Sequence, residues 1–233
     1  MPMKNNTTGG SEPRGLLLDF GGVISITLFE RHRTTERLLG LKEGTLDWRG
    51  PFDPAGDTLW RDMLAGQISE RDYWAIRARD TGRLLGEEWS MLDLIQRARG
   101  PDPNLHVRPE ALATIRRARA AGIRVGILSN ELELFYGREM MEALDVLRHI
   151  DAMVDATHTK ILKPDPRAYA IGLEALGTRP ENTVFVDDQA RNIEGARSAG
   201  LEAVAFDVTR PAESYAETER LLGLAPASAL SGS

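Results

Sequence analysis

The sequence predicts an open, doubly wound α/β parallel sheet carrying a helical insert after its first strand. Three observations carry that reading. Five short runs rich in leucine or β-branched residues, GLLLDF, IRVGILSN, AMVDA, TVFVDD and LEAVAFD, are each bounded by turn formers. Helical patterns stand between the later runs, and strand and helix alternating at this pitch wind a parallel sheet. The stretch 26–106 breaks the rhythm: it holds all four tryptophans, Trp48, Trp60, Trp74 and Trp89, and no convincing strand.

Taken in order, GLLLDF gives a buried strand that ends on Asp19 and passes into Gly21 and Gly22. The insert follows, with amphipathic segments TERLLGL, ERDYWAIRAR and EEWSMLDLIQRAR, and Pro101, Pro103 and Pro109 mark the return to the core. Open α/β sheets bind ligands at the carboxyl ends of their strands, so an insert leaving from there is expected to cap the site. PEALATIRRARAAG reads as a helix with Leu112, Ile115 and Ala118 on one face and a stop at Gly122. IRVGILSN ends on Ser129 and Asn130. Lys163 precedes the helix of PDPRAYAIGLEALG, which starts on prolines and stops at Gly177. TVFVDD ends on Asp187 and Asp188. The expected core is therefore 15–25 plus 107–224, with tails 1–14 and 225–233 too polar or too small in composition to pack.

Composition excludes several classes. At 233 residues and 42% hydrophobic, the chain can bury one substantial core and a smaller lobe. It has no run approaching a membrane span, and MPMKNNTTGGSEPRG has no stretch of signal-peptide type, so a cytoplasmic monomer or homodimer is expected. Cysteine is absent, which removes disulfides, thiolate nucleophiles and sulfur-bound metals. The net charge of −6 argues against nucleic acid as partner, and the arginines of RRARAAGIR, at helical spacing, read as a solvated helix face.

At a topological switch point the strand ends would gather three carboxylates (Asp19, Asp187, Asp188), the Ser129 hydroxyl, the Asn130 amide and the Lys163 ammonium. Singly, each is an ordinary cap or turn residue. Together, three carboxylates within a few ångströms cannot all ionise unless a cation holds them. Oxygen donors of this hardness point to Mg²⁺, with Lys163 a second positive charge for a dianionic substrate.

In that order, LLLDFGGV, ILSN, LKPDP and FVDDQARNIEGARSAG resemble the four motifs of the haloacid dehalogenase-like (HAD) hydrolases. The insert is placed and sized like that family's helical C1 cap. The last motif is similar to the branch that includes the phosphatase domain of soluble epoxide hydrolases and bacterial sugar-phosphate phosphatases. The resemblance implies an Mg²⁺-dependent phosphatase acting on a small phosphorylated metabolite. Asp19 would attack phosphorus to give an aspartyl-phosphate, and Gly21 would lend its carbonyl to the metal. Ser129 and Asn130 would bind the phosphoryl oxygens and Lys163 would neutralise charge. Asp188 would ligate the metal, with Asp187 and Asn192 acting on it or its waters.

One position departs from the pattern. Most phosphatases of the family carry a second Asp two residues after the nucleophile, to protonate the leaving oxygen; here that residue is Gly21. The expected repairs are a good leaving group, a water positioned by Asp187, or a donor among Ser25, Thr27 and His32. His32, between Arg31 and Arg33, reads as a surface residue, and Trp48, Trp60 and Trp74 read as core of the helical lobe. The departure also keeps open a metal-independent 2-haloacid dehalogenase, since halide leaves without a proton, and a non-catalytic binding protein on the same scaffold.

Overall fold

Leucines 16 to 18 alternate between the two faces of a central sheet in the computed structural model, which describes residues 12–225. The strands are β1 (Gly15–Leu18), β2 (Arg124–Ser129), β3 (Ala152–Asp155), β4 (Thr183–Asp187) and β5 (Glu202–Ala205), in the order β3-β2-β1-β4-β5. Every pairing is parallel. β1 is thus central, with strands added to either side of it, and the carboxyl ends share one edge. The expected tails fall almost wholly outside the described residues. Where they overlap, Glu12 pairs with Arg179 and the Arg14 carbonyl accepts from the Arg124 amide, so contacts with the core extend before Gly15.

Between β1 and β2 run α1 (His32–Leu39), α2 (Thr58–Leu64), α3 (Glu70–Leu84), α4 (Met91–Arg99) and α5 (Pro109–Ala120). α6 (Leu132–Tyr136) and α7 (Arg138–Glu142) follow β2. Further on come α8 (Ala156–Thr159), α9 (Pro166–Leu176), α10 (Ala190–Ser198) and α11 (Pro211–Leu221). α5 and α11 bring Ile115, Ala118 and Tyr215 to the face of Leu16 and Leu18. α9 and α10 bring Tyr169, Leu173, Ile193 and Ala196 to the face of Leu17. Burial on both faces is why the strands read as continuous apolar runs. Leu112 is only half-buried, because Ala111 and Thr114 share the inward face of α5 with Ile115.

Helices α1 to α4 all fall within residues 26–106, and among the described residues that stretch contributes no strand to the sheet. Ser69 and Ser90 start α3 and α4 with reciprocal capping boxes to Asp72 and Asp93. Phe29 sits at the centre of an aromatic cluster, 5.5 Å from Trp48, 5.3 Å from Trp60 and 5.3 Å from Trp74 between ring centroids. Asp57, at the start of α2, is 1% exposed and accepts from Trp60 N (3.0 Å), Gly50 N (3.1 Å), Tyr73 Oη (2.8 Å) and Arg77 Nη2 (2.5 Å). The outgoing and returning chains meet in a narrow neck. There Ser25 and Val107 form an antiparallel bridge, Ile26 N donates to His106 O (2.7 Å), and Arg108 N donates to Ile24 O (2.9 Å). No helix among the described residues is long and apolar enough to cross a membrane.

Candidate active site

The parallel register decides what stands beside Asp19. Leu18 pairs with Val186, and the Asp19 amide donates to the Val186 carbonyl at 2.9 Å, so Asp19 and Asp187 are neighbours at the carboxyl edge. Lys163 Nζ bridges them, 2.7 Å from Asp19 Oδ1 and 2.6 Å from Asp187 Oδ2. The ammonium is buried. Burial alone would lower its affinity for a proton, but Asp187 and Asp19 outweigh that and raise it, so Lys163 is a fixed cation. Burial also pushes the Asp19 carboxyl up to about 7 against the pull of Lys163. With a permanently charged ammonium at 2.7 Å, the contact governs, and Asp19 is the anion of the pair.

Asp188 bears the unbalanced charge. Although Asp188 is exposed to the cavity, the density of protein atoms around it, then Asp187, Asp19 and Glu70, hold its carboxyl well above the usual carboxylate range. No hydrogen bond of the described residues ends on that carboxylate, although it stays reachable from the cavity it helps to line. It lies against the bare Cα of Gly22, where a Cβ would come within 2.6 Å of Asp188 Oδ2. Gly22 also has φ +76°, so glycine is required there twice over. Gly21 differs: its φ is −67°, and the nearest atom to a Cβ would be Asp19 Oδ2 at 3.9 Å. Backbone geometry therefore does not explain the missing side chain at position 21.

Other residues singled out from the sequence take clear places. Ser129 and Asn130 line the cavity. The Asn130 amide is spent on the backbone of Lys163, accepting from its N–H at 2.7 Å and donating to its carbonyl at 3.1 Å, so Asn130 positions the lysine. Asp187, one of the expected metal ligands, accepts from Lys163 Nζ (2.6 Å), Asn192 Nδ2 (3.0 and 3.1 Å) and Gln189 N (2.8 Å). Asn192 Oδ1 is buried with no partner.

Of the three suggested proton donors only Thr27 lines the cavity, and its hydroxyl donates to Glu30. Ser25 is buried in the neck against Tyr136 Oη at 2.8 Å. His32 is not a surface residue. It is 6% exposed, its ring 4.4 Å from that of Trp48, because the first turn of α1 faces the aromatic cluster. Trp48 is core as expected, whereas Trp60 and Trp74 are half-buried and also form cavity wall.

The cavity, about 570 Å³, joins the strand-end charges to the inner wall of the insert. Two wall residues escaped the sequence reading. Glu70, in the first turn of α3, accepts from Gln189 Nε2 at 2.6 Å, and burial raises its carboxyl. Beside it Arg71 pairs with Glu131, so one helix start touches the loops after both β4 and β2. Arg99 ends α4. It lies four residues beyond Ile95, in phase with the apolar stripe of Leu94, Ile95 and Ala98, and that phase is the signal that could have separated it from solvated Arg97.

Fold and site together define an α/β protein with a carboxylate–lysine cluster at a switch point of its sheet. The model of the haloacid dehalogenase-like hydrolases matches residues 14–200, and the chain belongs to that family. A phosphatase of Mycobacterium tuberculosis is 32% identical over 60% of this chain and 61% of its own length. A (S)-2-haloacid dehalogenase of Pseudomonas sp. is 30% identical over 66% and 68%. Phosphoserine phosphatase of Thermus thermophilus is 30% identical over 71% and 58%. The chain thus spans about three fifths of the length of the two phosphatases. A magnesium-bound HAD hydrolase from Bacillus subtilis shares the fold with a TM-score of 0.65 at 15% identity, covering 92% of this chain and 100% of its own.

Proposed function

We propose that this chain is a Mg²⁺-dependent phosphomonoesterase acting on a small phosphorylated molecule through an aspartyl-phosphate on Asp19, with the insert as its cap. One observation carries the reading: Lys163 contacts Asp19 and Asp187 at 2.7 and 2.6 Å, while Asp188 beside them makes no ion pair among the described residues, and the lysine's pull on it is outweighed by burial and the neighbouring carboxylates. The residues fit a hard divalent cation. Among the described residues no three carboxylate or imidazole groups could enclose a metal by themselves. Mg²⁺ does not need such a cage, since it keeps several waters and is held by one or two carboxylates plus substrate phosphate. Asp19, Asp188 and the Gly21 carbonyl would hold it, and Asn192 Oδ1 is free to receive one of its waters. Bound there, the ion would offset charge on Asp188 and on the phosphoryl oxygens.

The chain's own groups supply the rest. Asp19, held rigidly at the strand end, attacks phosphorus as the P–O bond to the leaving group breaks. Lys163 and Ser129 receive charge on the equatorial oxygens, and water then cleaves the acyl phosphate, returning Asp19 and releasing inorganic phosphate. Phosphate release from a panel of phosphorylated metabolites, abolished by chelator and restored by Mg²⁺, tests this. A second reading is favoured by Gly21 and by the dehalogenase relative: Asp19 attacks the halogen-bearing carbon and halide leaves with the bonding pair. Halide release from a 2-haloacid in chelator, with no phosphate released from any ester, would establish that reading instead.

A further inference from the structure

A buried arginine without a carboxylate is an unfinished interaction, because the guanidinium keeps its proton wherever it sits. Arg99 is in that position. It is 6% exposed, its Nη2 reaches the Ile26 carbonyl only at 3.4 Å, and Nε and Nη1 have no hydrogen-bond partner among the described residues. The Tyr136 ring lies 4.7 Å from its guanidinium carbon and the Tyr136 hydroxyl is near enough to favour the charged form, while a neighbouring like charge, Arg31, disfavours it. It forms no ion pair with any described carboxylate. Yet it lines the same cavity as Asp19 and Lys163, among Phe29, Trp60, Trp74 and Phe135. Arg191, also on that wall, is half-exposed and faces Glu70 at 3.9 Å, so it is not left without an acid.

We propose that Arg99 is a substrate-binding residue that receives a carboxylate on the organic part of the ester, so that the substrate is a phosphorylated carboxylic acid with an apolar body. This rests on the phosphatase reading of the Asp19 site. One guanidinium balances one negative charge, which suits a carboxylate better than a second phosphate dianion. The aromatic wall suits the body between the two anions, and a cavity of about 570 Å³ has room for it.

The test uses the full chain and tryptophan fluorescence, since Trp60 and Trp74 face the cavity. The ligands are 4-(phosphonomethyl)phenylacetate and its primary amide, which cannot turn over. The acid should bind about 100-fold more tightly than the amide. Arg99→Met should bring that ratio near one, and Arg99→Lys should restore part of it. The kcat/KM ratio of the corresponding phosphate esters should follow. Equal binding of acid and amide by the unmodified protein would overturn the proposal without recourse to any variant. So would tighter, Arg99-dependent binding of a bisphosphonate, which would assign the wall to a second phosphate. Phosphate release with an acid-to-amide ratio of one would remove Arg99 and leave the phosphatase reading standing. Arg99-dependent binding of 4-methylphenylacetate, with no gain from a phosphonate and no ester cleaved, would do the reverse.

Discussion

Two buried cations face one cavity, and they are treated oppositely. Lys163, on the core side, is gripped by two carboxylates and by the Asn130 amide. Arg99, on the insert side, has a weak carbonyl contact and an aromatic ring. The core assembles its charges so that the reacting groups are fixed before any ligand arrives, which is what positioning catalysis demands. The insert spends its polar order elsewhere, on the Asp57 cluster, and leaves its cavity wall apolar around one unanswered charge. On the proposed function, chemistry would belong to the sheet edge and selectivity to the helices above it.

The sharpest way to break this division is at Asp19. Asp19→Asn keeps the shape and removes the proposed nucleophile, so phosphate release should fall by roughly three orders of magnitude or more while the thermal transition stays in place. Unimpaired turnover would move the chemistry out of the core altogether. The insert should fail in the contrary manner. Asp57→Ala strands Arg77 and Tyr73 in the interior and should lower stability by about 3 to 5 kcal/mol in chemical denaturation, without touching Lys163 or Asp19. A loss below about 1 kcal/mol would mean the four hydrogen bonds on Asp57 hold nothing together.

How far these contrasts were legible in the sequence follows the same line. Asp19, Ser129, Lys163, Asp187 and Asp188 stand at strand ends and a helix start, where one residue's place in a local pattern fixes its place in space, so the site could be assembled before the fold was seen. The protein partners of Asn130 and Asp187, the Lys163 backbone and the Lys163 ammonium, were not read from the sequence, because hydrogen-bond direction depends on neighbours the sequence does not rank. Glu70, Arg99 and His32 were missed or misplaced because helix phase and packing, absent from local pattern, decide whether a charged residue faces water or a cavity.

Acid should separate the regions further. His32 and His106, buried in the insert and its neck, are held neutral: burial, then nearby Arg49 and Arg99 respectively, bring each down to about 4 from 6.5. Between those values the unfolded chain binds the proton and the folded chain does not, so stability is full above 6.5 and is lost as pH falls toward 4. The loss should reach about 3 kcal/mol for each histidine, and replacing both by Phe should flatten the profile in that window. An unchanged slope would place the acid sensitivity elsewhere.

The smallest effect tests the gap at position 21. Without a proton donor there, cleavage of aryl phosphates should slow as leaving-group pKa rises. Gly21→Asp, for which the backbone has room, should flatten that dependence and raise turnover of alkyl phosphates by about tenfold, below the usual span for general acid catalysis because the new carboxyl lacks a tuned setting. A flat dependence in the unmodified protein would show that another group already donates the proton.

The neck gives the two regions a mechanical relation as well. Arg108, on the returning chain, donates from Nε to the Gly22 carbonyl at 2.9 Å and grips Glu30 of the insert with both terminal nitrogens, at 2.8 and 2.7 Å. It therefore acts as a tie rod across a narrow fulcrum, with the bulk of the insert as the long arm and the turn beside Asp19 and Asp188 as the short one. Any rocking of the helices about that neck must either stretch these bonds or be delivered, reduced in amplitude, to the loop that carries Asp19.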